Sequence, residues 1–152
     1  MKLSRFLIAC VLLFGLSQSL CAQTTYKGKI VVHFTITLSS PVGTDSAIAC
    51  NVNANVFDAI NSINERAAAI ATVSGSTAKC TVTIPYSWTL STAGTDKISL
   101  GYVIDAIQSF EIPGSSGPSV QVAPVRESSQ AIGSISVPAT GTTTDETVKT
   151  TI

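Results

Sequence analysis

Apolar residues recur at every second position in four stretches of the chain beyond residue 29. In IVVHFTITL, Ile30, Val32, Phe34, Ile36 and Leu38 alternate with Val31, His33, Thr35 and Thr37. Period two with β-branched enrichment predicts a strand with one buried face. SSPVGTDS then breaks the pattern at Pro41 and Gly43, and AIACNVNANV resumes it through Ile48, Cys50, Val52, Ala54 and Val56. Asn51, Asn53 and Asn55 fall on the other face, which predicts a sheet with one wet side. KCTVTIPYSWTL puts Cys80, Val82, Ile84, Tyr86, Trp88 and Leu90 in one row, and KISLGYVIDAI does the same with Ile98, Leu100, Tyr102 and Ile104. Both predict further strands.

Other segments are less regular. In FDAINSINERAAAIA, residues Phe57, Ile60, Ile63, Ala67 and Ile70 follow a three-and-four spacing that also suits a helical face, with Asp58 as an N-cap. Asn61, Ser62 and Asn64 are weak helix formers. Pattern alone leaves helix and strand both open over 57–71; the expectation is a short helical or irregular connection over 57–66, a strand from Ala67 to Val73, and a hairpin turn at Gly75. FEIPGSSGPSVQVAPVRESSQ is dense in Pro, Gly and Ser and reads as a long surface loop with SVQV as a short strand. AIGSISV supplies a last strand, and residues 139–152 read as a polar, flexible tail.

The first 22 residues change the picture of compartment. Lys2 and Arg5 precede the apolar run Phe6–Leu16, which leads into SQSLCAQ. That order is the one a cleavable secretory signal has, and 11 apolar residues fall short of the ~20 needed to span a bilayer. The expectation is an exported protein, periplasmic or extracellular, with no membrane span after cleavage. Loss of Lys2 and Arg5 leaves seven basic against nine acidic residues in the mature chain. Such a balance offers no basic face for phosphate backbones, so nucleic acid is not an expected partner.

Cys10 and Cys21 lie in the leader, and Cys50 and Cys80 remain. Two cysteines in an oxidising compartment are expected to pair as a structural disulfide. Six or seven short strands with turn punctuation and one disulfide predict an all-β fold, an immunoglobulin-like antiparallel β-sandwich spanning residues 23–138. The antibody order, with a Trp between the two cysteines, does not hold, since Trp88 follows Cys80.

Candidate chemistry is sparse. His33 is the only histidine, and on the alternation it belongs with Thr35 and Thr37 on the polar face, where a solvated or cross-strand role is expected. No G-x-S-x-G surrounds any serine, so no catalytic residue is assigned. One His, two paired Cys and no Met after the leader are too few ligands for a transition-metal centre, and no phosphate-cradling loop is present. No metal or cofactor is expected. Tyr86 and Trp88 would form a binding platform if exposed, yet they share a face with Val82, Ile84 and Cys80, which predicts that they point inward. Pro85, on the opposite face, marks an edge strand or a bulge. The functional expectation is a non-enzymatic exported β-sandwich acting in binding or assembly, with a protein or glycan partner. Self-association would use Gln23–Leu38 as a donated strand. The alternative is a carbohydrate-active hydrolase using Asp105 and Glu111.

Overall fold

A computed structural model describes residues 23–42, 46–58, 62–91, 97–111 and 120–152. Eight strands follow in chain order: β1 (Thr24–Thr37), β2 (Ser46–Phe57), β3 (Ser62–Ile70), β4 (Thr72–Ser74), β5 (Thr77–Leu90), β6 (Lys97–Glu111), β7 (Val120–Ser136) and β8 (Thr143–Thr151). They form two four-stranded sheets, β4-β5-β1-β8 and β3-β2-β6-β7. The chain is a β-sandwich, as its alternation predicts.

The strand order carries more than the class does. In an immunoglobulin sandwich, strands A, B, E and D make one sheet and C, F and G the other, with C′ added beside C in the variable type. Strands β1 to β7 occupy the places of B, C, C′, D, E, F and G in that order, with every adjacent pair antiparallel. The place of A is taken by β8, which comes from the other end of the chain and runs parallel to β1. The sandwich is therefore not wholly antiparallel, and the segment expected to be a flexible tail closes the edge of a sheet. Composition misleads there because β8 needs few apolar residues: only Val148, and Ile152 just beyond it, are buried.

The core lies between the inner faces. Ile30, Val32, Phe34 and Ile36 of β1 and Val82, Ile84, Tyr86 and Trp88 of β5 meet Ile48, Val52 and Val56 of β2 and Ile98, Leu100, Tyr102 and Ile104 of β6. Phe34 and Tyr102 make an edge-on ring contact across the two sheets at 5.5 Å. Cys50 of β2 and Cys80 of β5 form the disulfide, so it joins the two sheets at the C and E positions rather than at the B and F positions of antibody domains.

The connection expected to be helical or irregular over 57–66 is extended at Phe57 and from Ser62 onward, with 59–61 outside the described residues. Ser62–Ile70 pairs antiparallel with β2, from Phe57 opposite Ser62 to Ala49 opposite Ile70. Its inner positions Ile63, Ala67 and Ala69 are partly buried against the core. An available ladder along β2 outweighs the three-and-four spacing, because Asn and Ser give little helical preference to set against it. The Asp58 carboxylate accepts from the Ser91 N–H at 3.0 Å and from the Ser91 hydroxyl, tying the ends of β2 and β5 together.

At Ala71, which donates its N–H to the Ile48 carbonyl, the chain leaves one sheet and enters the other as β4. The predicted hairpin follows, with Gly75 at φ +59° in the first central position of a two-residue turn. That position in a type II′ turn calls for glycine. Much of the expected surface loop is strand as well: β6 continues to Glu111 and β7 begins at Val120, with register shifts at Leu100/Gly101 and Ala106/Ile107. Such bulges twist a long edge strand away from further pairing.

Reduction of the Cys50–Cys80 bond is expected to lower stability by about 3–4 kcal/mol, from the entropy of a loop closed over 30 residues. Urea unfolding with and without reductant measures it.

Candidate functional site

Of the two aromatics singled out in the sequence, neither forms a platform. Tyr86 and Trp88 are 5% and 2% exposed. Their rings stack at 4.4 Å between centroids on the inner face of β5, with Tyr26 of β1 in register with Trp88. Tyr86 crosses over Gly28, its neighbour on β1. A Cβ at residue 28 would stand 2.5 Å from the Tyr86 hydroxyl and 2.6 Å from the Thr142 carbonyl oxygen, so only glycine fits. The Tyr86 hydroxyl and the Trp88 Nε1 have no hydrogen-bond partner among the described residues. Burial raises the Tyr86 pKa, and nearby Thr142 offsets part of the rise without reaching the geometry of a hydrogen bond.

Pro85 lies on an edge, in an unbroken register. Lys29, opposite Pro85, donates its N–H to Thr142 and so turns its polar groups toward β8. By the alternation of an antiparallel ladder, Pro85 then turns away from β1. Since β4 reaches only to Lys79, no described residue pairs with that side of β5 from Thr81 to Thr89, and a proline stands at its centre, where a donor would otherwise invite pairing.

His33 occupies the outer face of the same sheet, as expected. Its Nδ1 is 3.2 Å from the Thr81 hydroxyl and its Nε2 is 3.3 Å from Asp145 Oδ1, giving hydroxyl, imidazole and carboxylate across β5, β1 and β8. The group is half in solvent, with His33 49% and Asp145 64% exposed. Its role is a cross-strand tie of the kind worth at most about 1 kcal/mol.

Asp105 and Glu111 are not brought together. Both lie on β6, six residues apart, which is about 20 Å along an extended strand and far beyond the ~5–9.5 Å that paired glycosidase carboxylates need. The carboxylate that faces Asp105 is Glu127, directly opposite on β7. Sequence could not have found it, because the pairing depends on the β6–β7 register.

The polar surface that the fold does assemble is the outer face of the β3-β2-β6-β7 sheet, centred on Asn51, Asn53 and Asn55. Asn51 donates to Asp105 Oδ2 at 3.1 Å. At the other end, Arg66 donates through Nε to Asn64 Oδ1 at 3.2 Å, and Asn64 donates to Asn55. Asn53, between them, has no side-chain partner among the described residues. Its amide lies over Gly101, where a Cβ would come within 2.9 Å of Oδ1. Two depressions flank it. One of about 630 Å³ is bounded by Asn51, Arg66, Ala68, Val103 and Asp105, and one of about 400 Å³ by Asn55, Ser99, Gly101, Ser129 and Ala131. Small side chains on both sides of the amide row make the trough.

No group of three or more His, Cys, Asp or Glu gathers among the described residues, and no described helix is long and apolar enough to cross a membrane.

Two substitutions separate packing from polarity at the aromatic end. Gly28→Ala is expected to cost about 1–3 kcal/mol through overpacking, and Tyr86→Phe to be neutral or stabilising because it removes a buried, unpartnered hydroxyl. Urea unfolding at neutral pH compares them. The folded chain holds this phenol neutral above its ordinary pKa of 10.0 while the unfolded chain ionises it there, so the group leaves stability independent of pH below 10 and lowers it as pH rises from 10 through the folded value. Tyr86→Phe should accordingly flatten the fall in stability above pH 10. Comparison with protein-family models, with curated proteins and with solved structures finds no match to this chain.

Proposed function

We propose that the protein is an exported binding module whose ligand lies in the trough on the outer face of the β3-β2-β6-β7 sheet. The observation that carries this reading is the Asn53 amide, central, without a side-chain partner among the described residues and set over Gly101 between two depressions. A primary amide offers two donors and an acceptor in one plane, which suits the paired hydroxyls of a neutral glycan. Asn51, Asp105 and Arg66 add fixed donors and acceptors around it, while Ala68 and Val103 give short apolar contacts of the kind a sugar ring's C–H face takes. Export follows from the leader-like N-terminus and is in keeping with a disulfide in the folded chain.

Catalysis by two carboxylates remains as a second reading, with Glu127 in place of Glu111. Asp105 and Glu127 are cross-strand partners about 5 Å apart at Cα, on the same face as the trough.

Asn53→Ala is expected to weaken retention of a bound neutral oligosaccharide at least 10-fold, roughly 1.4 kcal/mol, with unfolding stability unchanged. Screening the mature protein against immobilised neutral glycans, followed by calorimetry on the variant, measures it. Failure of the folded protein to bind any of them, or an unaltered affinity in the variant, overturns the assignment. Release of reducing ends by the wild type, abolished in Asp105→Asn, would favour the hydrolase.

A further inference from the structure

The segment Gln23–Leu38, which the sequence suggests as a strand donated between copies, is not free to act so. Thr24–Thr37 is the central strand β1 of its own sheet, paired on both sides. The opposite end of the chain has the character that a donated strand needs. We propose that β8 exchanges between copies of this protein, Thr143–Thr151 of one chain pairing with β1 of another.

Three observations carry the proposal. First, β1 to β7 supply every immunoglobulin position from B to G, and the missing A position is a groove along β1 that any strand of matching sequence can fill. A strand supplied from the C-terminus, in parallel, is an addition to that set. Second, β8 is held chiefly by main-chain pairing, in register from Lys29 opposite Thr143 to Thr37 opposite Thr151. Its apolar anchors are Val148 alone within the strand and Ile152 beyond it, while its other inward positions, Thr144, Glu146 and Thr150, are polar. The remaining ties are side-chain contacts such as His33–Asp145 and Ser128–Thr150, together with Ser39 on the Ile152 carbonyl. A strand of this composition is soluble when detached, so leaving the groove exposes little apolar surface on the strand itself. Third, the link from β7 turns at Gly141, at φ +88°, where Gly141 donates to the Lys27 carbonyl. The turn is the hinge that must open, and it is held by that bond, by Thr142 on Ala139, by the Thr140 hydroxyl on the Thr25 carbonyl and by the Lys29 N–H on the Thr142 carbonyl.

Exchange preserves every contact between β8 and β1, so the closed and exchanged forms differ mainly in the hinge and in the cost of association. The exchanged form is then governed by chain concentration against the effective concentration of the tethered strand, on the order of millimolar. The proposal concerns the sheet opposite to the glycan trough and is independent of it.

Two single-cysteine variants of the full mature chain test it, Thr35→Cys and Lys149→Cys, at positions directly opposite in the β1–β8 register. The Cys50–Cys80 bond is kept oxidised, the variants are co-refolded from urea over a range of concentrations, and a short bismaleimide is added. A 35–149 link between different chains, identified by peptide mass and rising from trace amounts at micromolar to a major species near millimolar, is the expected result. The double variant should link within one chain at every dilution. Failure of the mixed variants to link while the double variant does so overturns exchange. Failure of the double variant overturns the β1–β8 register on which the proposal stands. Glycan retention should be the same for linked and unlinked protein, which keeps the two readings apart.

Discussion

Strand β1 is bonded along both edges and buried on one face, and the rest of the molecule is arranged to make that state complete. A buried backbone donor or acceptor left without a partner costs about as much as the hydrogen bond it forgoes. Even-numbered residues of β1 direct their polar groups to β5, and odd-numbered ones to β8, as the bonds of Leu38 to Ser76 and of Lys29 to Thr142 show. Every residue of β1 that sends a side chain into the core therefore bonds to β5, which is also the strand that carries the disulfide to the other sheet. The chain pairs β1 on one side early, through β5, and finishes the other side only with its last nine-residue strand.

Alternation made the strands legible where one face is uniformly apolar. β1, β2, β5 and β6 read directly, and the inward direction of Tyr86 and Trp88 follows from their sharing a row with Val82 and Ile84. Where the inner face is made of small or polar groups, the same reasoning loses its signal. Ala67 and Ala69 bury too little to distinguish a strand from a helix, and Thr144, Glu146 and Thr150 look like solvated positions. In both cases the deciding term is an open ladder on a neighbouring strand, a partner that local sequence does not display. Within β7, Pro124, Arg126 and Glu127 likewise suggest a loop until the bulges that accommodate them are known.

The candidate site divides along the same line. That Asn51, Asn53 and Asn55 face outward was readable from their interval on β2. The trough was not, because it arises from Gly101, Ala68 and Ala131 lying beside Asn53 and its neighbours in the β3-β2-β6-β7 register. The large aromatic residues Tyr86 and Trp88 fill the core, as their row predicts, whereas the available hydrogen-bonding group is a mid-strand amide of a common type. Its distinction lies in what is missing around it among the described residues: a side chain at 101 and a partner for its own polar atoms.

The parallel pairing of the first and last strands also fixes how the protein responds to force. With β1 and β8 aligned in the same direction, a pull between Thr24 and Ile152 loads opposite ends of one ladder. The bonds of that ladder are then strained together in shear, whereas a hairpin pulled from its open end gives way one bond at a time. Held at both ends, the molecule would resist extension through a strand that contributes little to its core. Polar composition in β8 thus does not make it mechanically weak, and a neighbour's β8 in the same groove would transmit tension from one molecule to the next along the same direction.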